Sequence, residues 1–225
     1  MLHVVCRVSR PDEGRAAADF TLTAAVAAAK TGDEAAFVRV YRAVQPGLLR
    51  YLTVLAGPDA EDIAAETWAQ VCRDLRRFEG DGDGFRGWVA TIGRHRALDH
   101  LRARSRRPAA SGSLEELMTC PAAEDTAAAA LEGMATRAAL DLIGSLPRDQ
   151  AEAVLLRAVI GLDARAAGRV VGKRPGAVRT AAYRGLRTLA VRLQAEDQVS
   201  VRRELAGAVG TWCDTSHRLS ADSVL

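Results

Sequence analysis

The chain has few aromatic residues, only four cysteines and no long apolar run, and each shortage closes off a class of protein. Cys6, Cys72, Cys120 and Cys213 stand far apart, with no Cys-x-x-Cys pair and no histidine at ligand spacing. Neither a metal site nor a disulfide framework is indicated, and a reducing cytoplasm is the compartment that fits. No stretch approaches the roughly twenty apolar residues that span a bilayer, and the apolar run around Cys6 and Arg7 is too short for a secretory core. A soluble chain without membrane insertion is expected. Alternating β-branched runs are nearly absent while alanine is abundant, which predicts an all-α fold. No serine or cysteine sits in a nucleophile signature, and nothing in the pattern calls for a cofactor. His95 and Asp99, four apart, could orient an imidazole with a carboxylate, but an exposed helix pair is the simpler account.

Charge of one sign is also missing locally, although the net charge of +3 over 225 residues looks modest. From Glu115 to Thr136 there are five carboxylates and no basic residue; from Ala164 to Ala195 there are eight basic residues and no carboxylate. From Asp59 to Asp83 eight carboxylates face three arginines, and from Gly84 to Leu114 seven arginines face Asp99 alone. So sharp a separation suggests two partners of opposite sign, a protein surface and nucleic-acid phosphate.

Asp59 to Arg107 is the stretch around which the rest is organised. Pro58 followed by Asp59, Glu61 and Asp62 is a helix start, since carboxylates in the first turn complement the helix dipole. Ile63, Thr67, Val71, Leu75 and Phe78 recur as one apolar stripe, beside a polar face of Asp62, Glu66, Gln70, Arg73 and Arg77. The run Glu79-Gly80-Asp81-Gly82-Asp83-Gly84 is expected to be loop, with positive φ at several points. Asp81 and Asp83 alternate as calcium ligands can, but no downstream Glu completes the motif. Phe85, Val89, Ile92, Gly93, Ala97 and Leu101, with Trp88 beside them, give the next helix a buried side ringed by arginines. Aromatic rings at the start of a basic helix suit single-stranded nucleic acid, where bases stack and arginines hold phosphates. Phe85 on its own reads as core.

Taken in order, residues 1–19 read as a loose leader, and Thr21 or Thr23 as the cap of a helix through Lys30. Phe37 to Leu55 forms a helical pattern that Pro46 kinks or divides. With the Asp59–Arg107 pair, these helices make a small domain over 20–107. Residues 108–136 read as a flexible acidic linker, with a short turn of helix at Leu114–Met118. A second domain, 137–195, restarts at Arg137. Gly161 stops a helix, Asp163 caps another over Ala164–Val171, and Gly172-Lys173-Arg174 is a turn before Pro175 opens a last helix. Two helices across a short glycine-containing turn, the second arginine-rich and free of carboxylates, match a helix-turn-helix. Over 196–225 the sign of the charge reverses. Val201, Leu205, Val209 and Trp212 keep helical spacing there, either as packing or as a dock for a regulator.

These residues resemble a known family, the extracytoplasmic-function group of bacterial RNA polymerase sigma factors. Asp59-Ala-Glu-Asp-Ile-Ala-Ala-Glu-Thr-Trp is similar to its polymerase-binding helix. Phe85-Arg-Gly-Trp-Val-Ala-Thr-Ile-Gly-Arg-His-Arg-Ala-Leu-Asp-His-Leu-Arg is similar to its promoter-melting helix. Leu146-Pro-Arg, Gly161-Leu-Asp and Gly172-Lys-Arg-Pro-Gly-Ala-Val-Arg-Thr resemble its C-terminal helix-turn-helix. The resemblance implies two helical domains, core RNA polymerase and promoter DNA as partners, an anti-sigma factor as a further partner, and no catalytic residue. By position, Asp62, Glu66, Gln70 and Arg73 would bind polymerase. Asp83, Phe85, Arg86, Trp88, Arg94, His95 and Arg102 would serve the −10 element, with loop 79–84 capturing flipped-out bases. Arg174, Gly176, Arg179, Thr180, Tyr183 and Arg184 would face the −35 element. The chain departs from the family's usual residues at Ala65, Lys173, Ala177 and Ala181, which bears on promoter sequence.

Two other classes compete. A stand-alone helix-turn-helix regulator would explain 161–189 but leave Asp59–Arg107 unused. An enzyme built on His95 and Asp99 would show turnover that His95→Ala abolishes.

Overall fold

The computed structural model describes residues 12–106 and 127–194. Among them every regular element is helical: α1 Asp12–Lys30, α2 Glu34–Ala56, α3 Ala60–Asp74, α4 Gly82–Arg106, α5 Ala127–Gly144, α6 Arg148–Val154, α7 Ala164–Val171 and α8, 175–194. The described residues divide after Gly185 into two units. Of the second unit, 186–194 is described; it is helical, with Leu186 and Val191 exposed.

Local chemistry explains most of the boundaries. Gly32, at φ 99°, breaks the chain after α1, and the Asp33 carboxylate accepts the Ala36 N–H at 2.9 Å to start α2. Asp163 does the same for α7, accepting from Ala166 N–H at 2.6 Å. Gly172 closes α7 in the left-handed region at φ 70°, its N–H bonded to the Gly168 carbonyl. Gly168 has no room for a side chain, because a Cβ there would lie 2.5 Å from the Lys173 carbonyl oxygen. That close approach makes the sharp corner between α7 and α8.

Several expectations need correction. The helix of the presumed leader begins at Asp12, so Thr21 and Thr23 lie inside α1; Thr23 returns its hydroxyl to the Asp19 carbonyl at 2.8 Å instead of capping. Pro46 neither ends nor divides α2, which runs through it; the proline forgoes one backbone bond, and burial of Val40, Val44, Leu48 and Leu52 outweighs that loss. The glycine–carboxylate run is only partly loop. Asp81 accepts from the Gly84 N–H at 2.7 Å and its carbonyl from the Phe85 N–H at 2.9 Å, so Gly82–Gly84 form the first turn of α4. Gly80, at φ 147°, is the position of that run with positive φ. The helix α5 starts at Ala127, ten residues before the expected restart at Arg137, since alanines need little packing to stay helical. The turn proposed at Leu114–Met118, the leader before residue 12 and the segment after 194 lie outside the described residues.

The apolar stripes fall where the spacing puts them. Ile63, Thr67, Val71, Leu75 and Phe78 are buried, as are Phe85, Val89, Ile92 and Ala97. The N-terminal helices and those from α6 onward share one apolar cluster, instead of two separate cores. A Cβ on Gly47 of α2 would sit 3.4 Å from the Val159 carbonyl, and one on Gly87 of α4 would sit 3.9 Å from Leu162. The promoter-melting candidate, α4, therefore lies against α7 in this arrangement.

Candidate functional site

On α3, Asp62, Glu66 and Arg73 are exposed and Gln70 is half-buried. They lie away from the buried stripe, so the face expected to hold polymerase is open to a partner. Arg96 of α4 reaches across to it: its guanidinium donates to Gln70 Oε1 at 2.9 Å and lies 3.8 Å from Glu66 Oε2. Beside this face Trp68 donates its indole N–H to Gln45 Oε1 at 2.7 Å and packs on Phe37 and Tyr41.

The start of α4 carries an aromatic cluster. Phe78 meets Phe85 edge-on at 5.3 Å between centroids and Trp88 at 5.1 Å. Phe85 is fully buried and Trp88 half-buried. Phe85 therefore belongs to the core and offers no face to a base, a correction to its expected direct part; Trp88 retains accessible surface. Asp83 is half-buried and paired with Arg86, which also lies 3.6 Å from Asp19. Farther along, His95 and Arg102 are exposed. Asp99 pairs with Arg102 at 3.0 Å and not with His95, so the imidazole–carboxylate arrangement is not formed.

Arg94 points elsewhere. Its Nε is 3.2 Å from Glu152 of α6, a carboxylate only 4% exposed that also receives Arg148 at 3.2 Å. The Tyr51 hydroxyl is buried near this pair without a hydrogen bond of good geometry. Burial first, and the Glu152 charge second, push its pKa above the ordinary phenol value. Pattern reasoning missed this group, because Glu152 lies 58 residues from Arg94 and nothing local marks it as buried. A second omission joins His100 and Arg104 to Asp59, at 3.0 and 2.9 Å. The i,i+4 spacing of the two cations was visible in the sequence; their common acceptor was not.

At the other end, Arg174, Gly176, Arg179, Thr180, Tyr183 and Arg184 are all exposed. They occupy the turn and first three turns of α8, while Val178 and Ala182 are buried on its opposite side. An exposed helix face carrying arginine, threonine and tyrosine can enter a major groove and bond base edges and phosphates. Lys173 is drawn aside to Asp149 at 2.5 Å.

Residues 40–107 match the family Sigma-70 region 2, and residues 136–189 match Sigma-70, region 4. The chain is 34% identical over 168 residues to the ECF RNA polymerase sigma factor BldN of Streptomyces coelicolor, covering 72% of this chain and 62% of BldN. It thus spans less than two thirds of that relative. It is 31% identical over 175 residues to the ECF RNA polymerase sigma factor SigD of Mycobacterium tuberculosis, covering 75% of this chain and 82% of SigD. Among solved structures, CnrH in complex with the cytosolic domain of CnrY superimposes with a TM-score of 0.53 at 22% identity, covering 78% of this chain and 98% of CnrH. The sigma factor RpoE of Bartonella quintana, in complex with the anti-sigma factor NepR, gives 0.53 at 22% identity, covering 70% and 96%. At that identity both speak to the fold alone.

Proposed function

Because this chain belongs to the extracytoplasmic-function group of bacterial RNA polymerase sigma factors, we propose that it binds core RNA polymerase through α3 and directs it to promoters through α4 and α8. The observation that carries this reading is the chemical split between surfaces: Asp62 and Glu66 face solvent on α3, and Arg174, Arg179 and Arg184 face it at α8. The chain acts as an initiation factor in the cytoplasm and performs no reaction of its own. Among the described residues no helix is long and apolar enough to cross a membrane.

In this mechanism α8 enters the major groove of the −35 duplex. The loop before α4 and the Trp88 ring receive bases flipped out of the −10 element, a use of base extrusion for strand opening. His95 and Arg102 hold phosphate, and Phe85 backs the ring cluster from the core. The two elements are about 25 base pairs apart, roughly 85 Å at ~3.4 Å per pair. In this mechanism α4 and α7, packed together here, separate so that α4 and α8 reach their two elements at once. The halves must part, which frees Arg94 from Glu152 and supplies another cation to the DNA. Polymerase then holds both halves on one promoter, so effective concentration compensates for modest individual contacts. RpoE is held by an anti-sigma factor in its structure, and a protein of that kind is the proposed further partner here.

Run-off transcription with purified core polymerase on a genomic library tests the reading. Defined start sites that depend on this chain are expected; none at all would end it. The stand-alone regulator is disfavoured by the region 2 match, and it would return only if the chain bound duplex tightly without polymerase.

A further inference from the structure

The loop between Phe78 and Gly82 is short, glycine-containing and exposed at Glu79, Gly80 and Asp81. Glycines supply no stiffness of their own. A loop that selects a base must nevertheless hold its groups to within a fraction of an ångström. Both ends of the loop are bonded to α1, which lies outside the matched segment 40–107.

Two hydrogen bonds connect α1 to the two ends of the loop, and an ion pair carries on to α4. Lys30 Nζ donates to the Phe78 carbonyl at 2.5 Å, where the chain enters the loop. The Gly82 N–H donates to Thr23 Oγ1 at 2.8 Å, where the chain leaves it. This N–H is one of the first-turn donors that a helix cannot satisfy internally. Thr23 Oγ in turn donates to the Asp19 carbonyl at 2.8 Å, so its lone pairs are turned toward the loop. Asp19 Oδ1 lies 3.6 Å from Arg86 one turn on. The fit is close: a Cβ at Gly82 would lie 2.5 Å from Asp19 Oδ1, 2.9 Å from the Asp19 carbonyl and 3.1 Å from Leu22 Cβ.

We infer that Lys30, Thr23 and Asp19 of α1 are positioning residues for −10 recognition, setting the geometry of a loop they flank without touching DNA. The inference rests on the reading of that loop as the base-capture element. Both loop ends are anchored by α1, with Glu79 and Gly80 exposed between them. Changing the anchors therefore alters base capture and leaves the α3 face and α8 untouched.

The test uses the full chain in holoenzyme with core polymerase, and as probe a pool of single-stranded DNA randomised over the −10 positions. Thr23→Val keeps the side-chain volume but removes the hydroxyl, and Lys30→Met removes the donor. Each is expected to weaken capture of the enriched sequence about tenfold and to flatten the preference among bases, and Thr23→Ser to restore both within about twofold. Core affinity, measured on the same proteins, stays at the wild-type value; the thermal midpoint drops slightly for the unsatisfied Gly82 N–H, without ranking the variants as capture does. Unchanged capture in both variants overturns the inference. So does a loss that tracks core affinity or thermal midpoint, because the ties would then serve only the fold. A wild-type holoenzyme that enriches no sequence at all sinks the base-capture reading, and the inference with it, a failure distinct from one confined to α1 variants.

Discussion

Two arginine-rich helices in this chain meet different fates. On α4, Arg86 is paired with Asp83, Arg94 with Glu152, Arg96 with Glu66, Arg102 with Asp99 and Arg104 with Asp59. At α8, Arg174 and Arg179 face solvent and form no ion pair among the described residues. The sequence signal is similar in both, a helix dense in arginine. The difference lies in the carboxylates within reach: α4 carries Asp83 and Asp99 itself and packs beside Asp59, Glu66 and Glu152, whereas the stretch from Ala164 to Ala195 contains none. Among the described residues, Arg174 and Arg179 are left on the surface with no carboxylate beside them. On the proposed reading, α4 exchanges internal partners for DNA once the molecule opens.

The contrast is sharpest at the most buried pair. Glu152→Ala leaves Arg94 without its partner, in a site where the two side chains are 6% and 19% exposed. It should destabilise the protein by about 3–5 kcal/mol, read by urea denaturation. Asp99→Asn, at a pair 65% and 70% exposed, should cost no more than about 1 kcal/mol in the same assay. Equal costs would mean that burial does not separate these arginines. On α8, Arg179→Ala and Arg184→Ala should each reduce −35 binding by about 1–3 kcal/mol if the side chain reads a base. An equal loss on every duplex sequence would assign them to phosphate instead. Reversing charge at Asp62 and Glu66 together should weaken the complex with core polymerase about tenfold at low salt and less at high salt, measured by titration.

Tyr51→Phe gives the smallest effect. Its hydroxyl lacks a good hydrogen bond, so removing it should change stability by less than about 1 kcal/mol at neutral pH. Because burial raises the phenol's folded-state pKa, the unfolded chain loses this proton first. The phenol's contribution to stability is intact below about pH 10 and declines as pH rises through and beyond that value. The Phe variant should lack that part of the alkaline decline, as thermal melts on either side of pH 10 would register.

Much of the fold could be read from local pattern. The stripe from Ile63 to Phe78, the Asp163 cap, α7 at its observed limits, and the turn from Gly172 to Arg174 all follow from side-chain periodicity and caps. These are forces that act within a few residues. Failures came where local signals were weak or overruled. Alanine-rich α1 and α5 extend beyond their expected starts because nothing in their composition stops a helix. Pro46 stays within α2 because the core on either side holds it there. Phe85, Arg86 and Arg94 were assigned to DNA by their positions in a motif, yet burial or ion pairs occupy all three in this arrangement.

The sequence alone determined which segments become helices, which faces are apolar and where charge of each sign accumulates, since these depend on spacing and composition. Only the tertiary structure decided which arginines are engaged, that Glu152 meets Arg94, and that α1 braces the loop before α4. Those outcomes depend on distances between residues far apart in the chain, and an ion pair or a shared hydroxyl exists only once packing has brought both partners within about 3 Å.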